Sequence, residues 1–85
     1  MDTTTINEVE RLAGLMFSAD QVGLITGIEQ PDRTDEFQQA ILRGRLKEEA
    51  LVRDSVFKLA KAGSAPAQAL AVELIKQARV ASAGE

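Results

Sequence analysis

The sequence contains no cysteine and no histidine. This removes disulfides, thiol nucleophiles, Cys/His zinc sites and an imidazole general base together. Its only aromatics are three phenylalanines, Phe17, Phe37 and Phe57. The core must therefore be aliphatic and alanine-rich, which favours packed helices over a sheet. No apolar run approaches the ~18–20 residues needed to span a bilayer. The first residues, MDTTT, are polar and acidic, unlike the basic-then-apolar start of a signal peptide. A cytoplasmic location is expected. No phosphate-binding G-x-x-x-x-G-K-[ST] stretch occurs. Neighbouring acids such as Glu48 and Glu49 point about 100° apart on a helix, so they do not converge as a catalytic pair. The chain is read as non-enzymatic, with no cofactor and no metal.

What is present is a chain of 85 residues, 45% of them hydrophobic, enough for one small domain with a modest core. The charge is uneven. Residues 1–40 hold eight acids and two bases, and residues 41–85 hold eight bases and five acids, giving −6 and +3 within a net −3. Any attraction to a polyanion would lie in the second half.

Apolar positions 6, 9, 12, 13 and 16 predict a first helix over roughly residues 4–16. Ser18 and Gln21 form a capping-box pattern, and Phe17 with Val22 has the spacing of a hydrophobic staple, so a second helix starts after Ser18. Gly27 ends it, and Ile28 is expected to tuck back into the core. The polar stretch EQPDRT (29–34) is a turn around Pro31. A third, long helix begins near Asp35, with Phe37 and Ile41 one turn apart. Running unbroken to 62 at ~1.5 Å per residue, it would be about 42 Å long. A break at Gly44, a close helix approach there, or a partner chain is expected in consequence. Lys61 and Gly63 end this helix; Ser64 and Pro66 start the last. Ala67, Leu70, Ala71, Leu74 and Ala78 form its stripe, and ASAGE (81–85) is expected to fray, as is MDTTT. The predicted fold is all-α: one domain over 1–85, with a helix-turn-helix at about 4–43 and a helical hairpin at about 44–80 whose last helix runs antiparallel to the long one.

In a helix-turn-helix, the first helix carries a small residue, followed four residues later by a turn glycine and then an aliphatic residue. Gly23, Gly27 and Ile28 fill these positions in SADQVGLITGI (18–28). With Phe37, Ile41 and the stretch LRGRLKEEALVRDSVFKLAKAGSAPAQALAVELI (42–75), the pattern from Ser18 to Ile75 resembles the helix-turn-helix proteins related to phage DNA-packaging terminase small subunits. The resemblance implies a protein that recognises phage or prophage DNA for packaging, oligomerises, and hands DNA to a large terminase motor subunit. One position departs from the pattern: Arg33 stands where that group has an apolar residue.

A recognition helix presents its first residues to base edges. Arg33 would reach guanine, Thr34 a thymine methyl and Gln38 an adenine. Arg43, Arg45 and Lys47 are the phosphate candidates on the long helix. Against them stand Asp32, Asp35 and Glu36, which oppose phosphate but also suit the first helical turn through the macrodipole. Glu49 with Arg53 and Asp54 with Lys58 have the spacing of local pairs. Leu42, Leu46, Val52, Val56 and Leu59 cannot all face one stripe of the last helix, so self-association through them is expected. The alternative to DNA binding is a helical protein–protein interaction or oligomerisation module whose acidic recognition helix no longer meets DNA.

Overall fold

The computed structural model describes residues 1–83. They form four helices, α1 (Thr3–Gly14), α2 (Ala19–Thr26), α3 (Asp35–Lys61) and α4 (Ala65–Ala83), with a 3-10 turn at Gln30–Asp32. No strand occurs among the described residues. The Cα packing divides the chain into two compact units, Met1–Ala50 and the part from Leu51 onward.

The first unit is built on well-capped ends. Asp2 caps α1, with the Thr5 N–H donating to Asp2 Oδ1 at 2.7 Å, so the helix begins earlier than the fraying expected of MDTTT. At α2 the capping box is complete. The Gln21 N–H donates to Ser18 Oγ at 3.2 Å, and the Ser18 N–H donates to Gln21 Oε1 at 3.0 Å. The N–H groups of Gly27 and Ile28 both converge on the Gly23 carbonyl, and Gly27 takes the left-handed conformation at φ 77° that such an ending requires. Val9, Leu12, Ala13, Val22, Phe37, Ala40 and Ile41 make one buried cluster, with Ile6, Phe17, Ala19 and Ile28 packed against it. Met16 does not join them. α1 ends at Gly14, and Met16 lies exposed in the following turn at φ 69°.

α3 passes through Gly44 without a break, and the reason for the glycine is a close approach of α1. A Cβ at position 44 would overlap the backbone carbonyl of Glu10. One turn further on, a Cβ at Gly14 would meet the Gly44 carbonyl at 3.3 Å and the Glu48 Cβ at 3.5 Å. α1 thus stays against α3 as far as Glu48, which carries the first unit past the boundary near residue 43 that the sequence suggested.

The second unit contains the end of α3 and all of α4. α3 stops in a Schellman motif: the Gly63 N–H donates to Ala60 O at 3.1 Å and the Ser64 N–H to Leu59 O at 3.0 Å, with Gly63 at φ 105°. Ser64 caps α4, whose Ala67 N–H donates to Ser64 Oγ at 3.4 Å. Gln68 Nε2 reaches back to the Ala60 carbonyl at 3.1 Å. α4 continues to Ala83, beyond the end expected near residue 80; the last two residues of ASAGE lie outside the described residues. From Leu51 onward, Ala67 and Ala71 are the buried hydrophobics of this unit among the described residues.

Candidate nucleic-acid interface

α2, its turn and α3 have the order of a helix-turn-helix, but the connection is longer than the ~3–4 residues usual for that motif. It spans residues 27–34 and includes the 3-10 turn. Pro31 stands in that turn. The inward face of α3 is set by Phe37, Ala40, Ile41 and Gly44, all buried. The outward face therefore carries Asp35, Gln38, Gln39, Leu42 and Leu46, with Thr34 just before the helix, all exposed.

Two of the expected base readers, Thr34 and Gln38, are thus exposed. Arg33 does not. Its side chain is only 10% exposed, and two of its nitrogens are engaged. Nε donates to the Ile28 carbonyl at 3.2 Å and Nη1 to Asp20 Oδ1 at 2.7 Å. The guanidinium carbon lies 6.0 Å from the centre of the Phe37 ring, and the group covers Gly23 of α2. An arginine here does what an apolar residue would do: it closes the space between α2 and the start of α3. A base contact would require tearing out this clamp, so Arg33 is better described as part of the scaffold than as a reader.

The three phosphate candidates are also held internally. Arg43 Nε donates to Glu10 Oε1 at 2.6 Å, and Lys47 Nζ donates to the same oxygen at 3.2 Å. Arg45 Nη2 donates to the Phe17 carbonyl at 3.3 Å. The Glu10 side chain is 12% exposed, whereas its two cations remain largely open to solvent. The hydrogen bond from Arg43, and after it that from Lys47, holds the Glu10 carboxyl below its ordinary pKa. Sequence spacing missed Glu10, because its partners lie more than thirty positions away and only the α1–α3 crossing brings them together. The signal available was the i,i+4 placement of Arg43 and Lys47 around Gly44.

Asp35 and Glu36 occupy the first turn of α3, where they favour the helix and disfavour phosphate. Of the local pairs expected further along, Asp54 Oδ2 meets Lys58 Nζ at 2.9 Å.

The expected interface residues fall in both units. Leu42 and Leu46 are exposed in the first; Val52 and Leu59 are exposed and Val56 half-buried in the second. Leu51, Val72, Ile75 and Val80 are also exposed in the second unit, as is Leu70, which the helical spacing placed on the inward stripe of α4 with Ala67 and Ala71. Among the described residues no acidic group is arranged to hold a metal ion, and no helix is long and apolar enough to cross a membrane.

Compared with known protein families, with characterised proteins and with solved structures, the chain gives no match.

Proposed function

We propose that this chain is a non-enzymatic, cytoplasmic DNA-binding protein of phage or prophage type, working as terminase small subunits do and supplying DNA to a large motor partner. The observation that carries the reading is the open face of α3. Gln38 stands on it and Thr34 is exposed just before the helix, beyond a well-capped α2 and a glycine turn. Those are the positions from which a recognition helix meets base edges. Affinity would come from Arg43, Arg45 and Lys47 on the same helix, and self-association would multiply the weak contacts of each copy.

A labelled mixed-sequence duplex, titrated at low and moderate salt against the parent and a Thr34→Ala/Gln38→Ala variant, tests this. The expected result is salt-sensitive binding by both, with sequence preference lost in the variant. Absence of binding by the parent at low salt rejects the proposal.

A second reading, a helical interaction module that has left DNA behind, is favoured by a different observation. Asp32, Asp35 and Glu36 surround the start of α3, and Arg43, Arg45 and Lys47 further along it are already occupied within the chain. Stable oligomers without DNA affinity would support it.

A further inference from the structure

The pairing of Glu10 with Arg43 and Lys47 has the form of an occupied anion seat. The two cations sit one helical turn apart on α3, on either side of Gly44. The residue whose backbone presses onto Gly44 is Glu10 itself. Its carboxylate is therefore delivered between the two cations by the closest contact of the two helices. A single oxygen, Oε1, takes both hydrogen bonds. A phosphate oxygen makes the same two charge-assisted bonds with an arginine and a lysine. The cation heads are exposed and on long flexible stems, while the carboxylate is mostly sequestered. The cations can therefore turn toward an outside anion with no backbone movement.

We infer that Glu10 is an internal stand-in for a DNA phosphate, occupying Arg43 and Lys47 and offsetting one of their two charges until a phosphate displaces it. The inference rests on the DNA-binding reading above and concerns how that same surface is regulated. Its consequence is that the parent chain binds DNA below its capacity, and that removing one acid on α1 strengthens binding through two bases on α3. Each additional phosphate contact steepens the plot of log K against log salt by roughly 0.9. Releasing both cations should steepen it by between about one and two, with affinity near 0.1 M salt rising about tenfold or more.

The test compares the parent, Glu10→Gln and Glu73→Gln on one short mixed-sequence duplex across a salt series. Glu73 is an exposed acid on α4 with no part in the Glu10–Arg43–Lys47 cluster, so its variant carries the same change in net charge without opening the seat. The expected result is tighter, more salt-dependent binding for Glu10→Gln and no change of slope for Glu73→Gln. Equal shifts in the two variants, or none in either, overturn the inference while leaving DNA binding intact. No binding by any of the three proteins at low salt defeats the DNA-binding reading itself, and the inference with it. Helix content by circular dichroism checks that Glu10→Gln folds. If it does not, the parent still supplies an answer through the side-chain carboxyl carbon resonance of Glu10. That signal should move as duplex is added if phosphate displaces the carboxylate. An unmoved signal in the presence of saturating duplex overturns the inference.

Discussion

The guanidinium of Arg33 lies where a side chain at Gly23 would be, so the glycine of α2 and the arginine before α3 fill one space between them. Replacing Arg33 by alanine removes the hydrogen bond to the Ile28 carbonyl, the cover over Phe37 and the bond to Asp20. The Asp20 side chain is mostly exposed, so that ion pair contributes little. The lost hydrogen bond and ring contact together are expected to cost about 1–2 kcal/mol. Thermal melts should show a fall of roughly 4–16 °C that added salt barely alters. An unchanged melting temperature would show that the clamp is dispensable.

Two glycines that look alike in sequence should respond differently to alanine. At Gly44 the new methyl meets the backbone carbonyl of Glu10, which cannot move without moving α1. A loss of about 1–3 kcal/mol is expected, in spite of alanine's better helix propensity. At Gly23 the methyl meets only the far end of Arg33. There the gain of up to ~1 kcal/mol in propensity offsets the loss of the Arg33 hydrogen bonds. Chemical denaturation should find Gly23→Ala within about 1 kcal/mol of the parent and Gly44→Ala well below it.

Two left-handed turn positions give a third comparison. Gly27 has open space around its missing Cβ, so Gly27→Ala tests backbone strain alone and should cost about 1 kcal/mol. Met16 adopts φ 69° with an exposed side chain. Met16→Gly should therefore stabilise by up to ~1 kcal/mol, the release of strain outweighing the added freedom of the unfolded chain. A destabilised Met16→Gly would show that the exposed thioether has a packing role.

Acid should weaken the first unit through depressed carboxyls. Hydrogen bonds from Thr5 lower the pKa of Asp2, Arg11 lowers that of Glu8, and Arg43 with Lys47 lowers that of Glu10. Each group has a folded pKa below its unfolded one. Its contribution is thus fully present above the unfolded value, about 3.9 for aspartate and 4.3 for glutamate, and is lost as pH falls from there through the folded value. Melting temperature should be level near neutrality and decline below about pH 5. Glu10→Gln should make that decline shallower. A parent melt that is flat down to pH 3 would contradict the expectation.

The second unit should make stability depend on concentration. A two-helix segment whose buried hydrophobics among the described residues are the alanines Ala67 and Ala71 has little core of its own, while Leu59 and Leu70 remain more than half exposed. Segments below ~40 residues usually need an additional source of stability such as assembly. Melting temperature is expected to rise with protein concentration, and sedimentation to show oligomers that Leu59→Glu or Leu70→Glu dissociates. A parent that sediments as a monomer at every concentration would rule this out.

Helix existence and most helix ends were legible locally. Ser18 with Gln21, Gly27, Gly63 and Ser64 each carry their signal within a few residues, and the caps form as that signal requires. The helical spacing of Phe37, Ile41 and Val9 likewise identified core positions. The functional surface was less legible because it depends on which helix crosses which. Arg33 has the residue type of a base reader, and only the fold of residues 27–34 turns it toward Gly23 and Ile28. Arg43 and Lys47 read as free cations until α1 brings Glu10 between them. Gly44 allowed a kink or a close approach, and choosing between these needed the identity of the opposing backbone.

The two glycines also differ in what could compensate for their loss. A side chain added at position 23 collides with another side chain, so a smaller residue at 33 should act as a second-site suppressor. Positions 23 and 33 are then free to change together. A side chain added at 44 collides with the chain itself, and no change of residue type at position 10 removes a carbonyl. Suppressors of Gly44 substitutions would have to shift the whole of α1, which makes position 44 the pivot about which the sequence of α1 can vary while its path cannot.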